Sequence, residues 1–140
     1  MWSESNKVRR YKMKLKILFI ITAIVAVVFG VAFAIIPAQV YSLYGIESSA
    51  GLNYMGQLFG SALIGYGLIA WLARNAADSD SQRAIILAFF IADGIGFVVA
   101  LIGQLNDILG SLGWLTVVIY LLLTIGFGYF QFSKPSSSEA

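Results

Sequence analysis

Cysteine and histidine are both absent from this chain of 140 residues. That excludes disulfides, thiol redox chemistry, Cys- or His-ligated metal and His-ligated haem. It also removes the usual general base near neutral pH. Charge is scarce as well: 11% of residues are charged and 59% are hydrophobic. Such a balance lies far from that of soluble proteins and makes lipid the expected solvent. At this length the chain forms one small domain.

The charge that is present is sorted. Lys7, Arg9, Arg10, Lys12, Lys14 and Lys16 precede the first long apolar run, Arg74 and Arg83 bracket the link between the second and third, and Lys134 follows the fourth. The two remaining links carry no Lys or Arg. Cations are retained on the cytoplasmic side of short-looped membrane proteins. The chain therefore reads as an all-α, four-transmembrane-helix antiparallel bundle, up-down-up-down, with both ends cytoplasmic and the cell membrane as its location. Nucleic acid is not the expected partner, because the cations cluster beside a membrane span and no aromatic-basic surface accompanies them. Anionic inner-leaflet lipid is, at about 1 kcal/mol per cation near the surface.

The expected organisation is a basic cytoplasmic tail over 1–14, a membrane domain over 15–132 and a disordered tail over 133–140. Spans are placed at about 15–36, 54–73, 84–105 and 112–132. Pro37 stops the first. Its basic approach and Ala32-Phe33-Ala34 resemble a secretory signal, but the apolar run is longer than a signal's core and Ile35-Ile36 continue it. Between the first two spans, Val40, Leu43, Tyr44 and Ile46 suggest a segment lying in the interface, with Tyr41 and Tyr44 at headgroup level and a turn at Gly45. Trp71 and Arg74 close the second span, Asp78 and Asp80 start the third helix, and Trp114 marks the interface at the start of the fourth.

Helices in lipid associate through close packing and hydrogen bonds. Small residues recur at the required spacing: Ala26, Gly30 and Ala34; Gly56 and Gly60; Ala92, Gly96 and Ala100. These stripes predict a compact bundle, and one of them offers contact with a second copy or another membrane protein.

Asp93 is the outstanding polar residue. It sits near the middle of the third span, where insertion of an Asp costs roughly 2.5–3.5 kcal/mol, and no span contains a Lys or Arg to neutralise it. A carboxyl group taken out of water without a counter-charge holds a proton or recruits a cation. Counting from helix ends places Tyr66, Thr124 and Thr22 at its depth. Asn53, Gln57 and Gln104 form a second polar layer nearer the outside. Asn53, Gln57 and Ser61 share one helical stripe, and Asp93 and Gln104 another, so the two stripes are expected to face each other.

Enzyme chemistry finds little support. Asp93 and Asp107 are fourteen residues apart, roughly 20 Å along a helix, too far for a carboxylate pair. Ser61 and Ser111 have no histidine to activate them. Gly94-Ile95-Gly96 lies within a span and forms no phosphate loop. No cofactor or metal is expected.

Pro37, Leu43-Tyr44-Gly45 and the run Gly60-Ser61-Ala62-Leu63-Ile64-Gly65-Tyr66-Gly67 leading to Trp71 resemble the small four-helix membrane proteins found widely in bacteria. These share a proline-ended first helix, a Leu-Tyr-Gly-type turn and a glycine-rich second helix. The resemblance covers Leu15 to Phe132 and implies the architecture without an activity. The expected function is a non-enzymatic membrane component acting through packing or interaction. The alternative is a proton- or cation-coupled carrier or channel, acting as an oligomer, with Asp93 as its titratable site. A lipid-modifying enzyme is the third reading.

Overall fold

A computed structural model describes residues 3–76 and 79–133. Asp78, Lys134 and the tail over 134–140 lie outside the described residues. The chain forms α1 (Glu4–Ile35), α2 (Pro37–Leu43), α3 (Ala50–Ala73), α4 (Asp80–Leu105) and α5 (Gly113–Phe132). The four long helices are each long and apolar enough to cross a membrane; the protein is an integral membrane protein. Large apolar side chains cover their outer faces, with Leu72 74% and Ile35 71% exposed. That is the distribution lipid requires.

Local chemistry sets the helix ends. Ser49 and Ser79 cap α3 and α4 by accepting from the backbone N–H groups of Leu52 and Gln82, each at 3.2 Å. Ser49 thereby starts α3 four residues before the Tyr54 expected from hydropathy alone. Pro37 ends α1 and occupies the first turn of α2, where its missing N–H is harmless. The basic segment is helical from Glu4 onward, because Lys and Arg are good helix formers and nothing breaks the helix before the apolar run.

The bundle consists of two tight hairpins. α1 packs on α3 and α4 on α5 with their backbones close, whereas α1 meets α5 and α3 meets α4 mainly through long side chains. Small residues cause the asymmetry. A Cβ on Gly30 would lie 2.8 Å from the Gly60 carbonyl oxygen, and one on Gly67 3.1 Å from the Ala23 oxygen. Within α4/α5, Gly96 takes the ring of Tyr120 and Gly128 that of Phe90. The stripes Ala26-Gly30-Ala34 and Gly56-Gly60 are thus occupied inside the chain. Ala100 is buried, whereas Ala92 is exposed on an open side.

The hairpins are joined at their two ends. At the basic end, Phe19, Phe89 and Phe127 form a buried aromatic cluster, with centroids 5.2 Å apart for Phe89–Phe127 and 5.6 Å for Phe19–Phe127. The Tyr11 hydroxyl donates to the Phe130 carbonyl at 2.8 Å. Gln82 Nε2 donates to the carbonyls of Ala73 and Ala76 at 3.3 and 3.1 Å, pinning the start of α4 to the end of α3. The Arg74 guanidinium lies 3.6 Å from the Trp71 ring centroid, a cation–π contact.

At the opposite end, α2 and the 106–112 turn form the second join. The Gly110 N–H donates to the Tyr44 carbonyl at 2.8 Å, and the hydroxyls of Tyr44 and Thr116 are hydrogen-bonded at 2.8 Å. The loop tyrosines, expected as headgroup anchors, are engaged by the protein itself. Tyr44 is 8% exposed, and the Tyr41 hydroxyl is turned inward to the Leu52 carbonyl at 3.1 Å. Both helices here end in the same motif. Gly45 and Asp107 adopt φ of +72° and +55°, while Ile46 N–H reaches Tyr41 O at 2.9 Å and Ile108 N–H reaches Gly103 O at 3.1 Å. Gly45→Ala should therefore lower stability by about 1 kcal/mol, the cost of a side chain in left-handed backbone. Thermal unfolding in detergent checks this; an unchanged midpoint counts against it.

Candidate functional site

Between the two joins the hairpins stand apart, leaving a cavity of about 700 Å³. α1 contributes Thr22, Ala26, Phe29 and Phe33 to its wall, α3 contributes Met55, Phe59, Ala62 and Tyr66, and α5 contributes Thr116, Ile119 and Tyr120. α4 supplies only Ala92 and Asp93, because its continuation at Gly96 turns toward Tyr120. Where α4 withdraws, the cavity has a side opening between α3 and α4. Met55 and Phe59 of its wall are 61% and 45% exposed, and the wall residues Ala62 of α3 and Ala92 of α4 are exposed as well. This opening lies within the membrane-crossing length, so it gives onto lipid.

Asp93 is at the floor, 3% exposed. The Tyr66 hydroxyl donates to its carboxyl group, 3.0 Å from each oxygen. The Tyr66 ring is in turn fixed by stacking on Phe89, with centroids 4.1 Å apart and planes inclined by 22°. The aromatic cluster below closes the floor toward the basic end. α1, α3 and α5 present no Lys or Arg to this carboxyl group among the described residues. It is a lone acid in an apolar chamber, and its charge is balanced only by a proton or by a cation that arrives.

The other residues at this depth divide. Thr22 is 1% exposed and lines the same cavity, but its hydroxyl donates to the Leu18 carbonyl one turn back, at 2.9 Å. Thr124 donates likewise to the Tyr120 carbonyl at 2.7 Å. Its methyl group packs over Gly94, and it is not part of the wall. Threonines in helices commonly bond back in this way.

The second polar layer does not assemble. Gln57 Nε2 donates to the Ala34 carbonyl of α1 at 3.3 Å, whereas Gln104 is buried against Gly113 at the start of α5. Gln57 and Gln104 thus point into different hairpins, and of the second stripe only Asp93 reaches across, to Tyr66 of α3. The side-chain oxygens of Asn53 and Gln104 are buried and make no hydrogen bond among the described residues. Tyr120 and Thr116, which the sequence did not single out, and Tyr44, expected as an interfacial anchor, bring three more hydroxyls to the cavity. Thr116 and Tyr120 share a face four residues apart, a signal obscured by the aromatic and apolar residues around them.

Among the described residues no group of acidic side chains is placed to hold a metal ion. Comparison with known proteins finds no matching family model, curated relative or solved structure.

Proposed function

We propose that this protein is a non-enzymatic membrane component that takes a lipophilic small molecule from the bilayer into the cavity between its hairpins. The supporting observation is the side opening between α3 and α4, which leads from lipid to a buried acid across an aromatic wall. Cavities of roughly 300–1,000 Å³ with mostly apolar walls and a few polar groups are the usual form of small-molecule sites. The chemistry of the wall favours binding over turnover, since among the described residues no second carboxyl group stands beside Asp93. In this reading the basic end, carrying Lys7 to Lys16, Arg74 and Arg83, faces the cytoplasm of a cell membrane and rests on anionic lipid. The resemblance to the small bacterial four-helix proteins fits the same picture.

Photolabelling in nanodiscs tests the site. An aryl diazirine should label Tyr120 and Thr116 inside the cavity as well as the lipid-facing Leu122, which is 61% exposed. Ala62→Trp, at an exposed position beside the opening, should reduce the interior labelling at least about threefold and leave Leu122 labelled, since an indole fills much of such a passage. Equal labelling of Tyr120 and Leu122 in both proteins would remove the cavity as a binding site.

A carrier is the second reading, favoured by the closed aromatic floor and the light contact between α1 and α5. Two hairpins joined at their ends and bridged between by the Tyr66–Asp93 bond have the form in which one bundle rocks on another. Ligand flux in proteoliposomes, lost in Asp93→Asn, is its signature.

A further inference from the structure

Charge balance narrows the ligand. We propose that the cavity selects lipophilic monocations, bound at the Asp93 carboxylate in exchange for its proton. The inference rests on the cavity reading above and adds a substrate class to it.

Three observations converge. First, the chamber holds one acid and no basic side chain among the described residues. A single carboxylate is neutralised by one positive charge, so a dication leaves an excess charge in a medium where that is costly. An anion meets repulsion. Second, the wall is aromatic: seven of its twenty residues are Phe or Tyr. Ring faces attract cations, most strongly where both are out of water. A small hydrated metal ion would find neither enough oxygen ligands nor a replacement for its water, whereas a bulky cation with apolar substituents needs neither. Third, the route runs through the lipid-facing gap at Met55 and Phe59, which such amphiphilic ions reach by partitioning into the bilayer.

The exchange balances. Protonated Asp93 and a free cation become an Asp93 carboxylate–cation pair and one proton released to water, with no bond formed to the ligand. The titratable groups that face Asp93 are the Tyr66 hydroxyl from α3 and Tyr120 from α5; Thr22 from α1 does not titrate, and Tyr44 of α2 stands at the far end of the cavity. Tyr66 already donates to both carboxyl oxygens, an arrangement suited to an ionised acid, so it can hold the carboxylate as the proton leaves.

Tetraphenylphosphonium is the probe. Its binding to the purified full chain, measured calorimetrically in two buffers of different protonation enthalpy, should release one proton per cation in acid. Its affinity should rise about tenfold per pH unit until the acid is ionised, as competition for a single site demands. Asp93→Asn, checked for folding by gel filtration, should bind the cation at least about tenfold more weakly. Binding without proton release and without pH dependence in the wild-type protein overturns the proposal, whatever the variant does. So does equal affinity for uncharged tetraphenylmethane. If the diazirine labels the interior while the cation fails to bind, the monocation assignment falls and the cavity reading stands. If the interior is not labelled either, both fall.

Discussion

Gly60→Leu yields no folded protein, the largest loss expected of any single substitution in this bundle. At Gly60 a Cβ would stand 2.6 Å from the Ala34 backbone nitrogen and 3.0 Å from the Phe33 Cβ. These obstacles are main chain or close to it, so no side-chain rotation relieves them. Overpacking commonly costs about 1–3 kcal/mol, and a leucine here must in addition separate α1 from α3 along their whole seam. A loss above about 3 kcal/mol is expected. Gly65→Leu is the control, because a Cβ there meets nothing within 4 Å and the helix gains a better helix former. Gel filtration and thermal unfolding in detergent separate the two. A Gly60→Leu protein that elutes and melts like the Gly65→Leu protein would show that the seam is not the close contact described.

Tyr66→Phe gives the second large effect, and it isolates one hydroxyl. The phenylalanine keeps the ring stacked on Phe89, so packing is retained while Asp93 loses its hydrogen-bond donor. Leaving such a buried group without its partner costs about 1–3 kcal/mol. Asp93→Asn should be milder, since the amide still accepts from Tyr66. A double-mutant cycle of Tyr66→Phe with Asp93→Ala, which removes the acceptor, should report a coupling of about 1–2 kcal/mol, toward the upper end for bonds between membrane helices. A coupling indistinguishable from zero would mean that Tyr66 and Asp93 are neighbours without being partners.

Much of the architecture was legible in sequence because a membrane imposes few solutions. Long apolar runs and a proline at 37 mark the helices, whereas the serine caps at 49 and 79 went unread, and α3 therefore starts earlier than hydropathy sets it. Depth was also legible: counting from helix ends set Tyr66 level with Asp93, and the structure joins them by a hydrogen bond. Rotation about the helix axis was not. Periodicity says which residues share a face, but close packing at Gly30, Gly60, Gly96 and Gly128 decides which neighbour that face meets. Hence Gln57 and Gln104 diverge although each sits at the expected height. Thr124 escapes for a different reason, since its hydroxyl has a carbonyl of its own helix within reach. The inward turn of Tyr44 depends on the Gly45 and Asp107 motifs bringing two distant turns together, which no local pattern announces.

α1 does not fray where its apolar stretch begins. From Glu4 to Lys14 it continues as regular helix, roughly 17 Å of it, and Tyr11 fastens this extension to the last turn of α5. The six cations ride on a stiff shaft rather than a loose tether. The helix that carries these cations is the same one that supplies Thr22, Ala26, Phe29 and Phe33 to the cavity wall, so the charged segment and the cavity share one continuous rod.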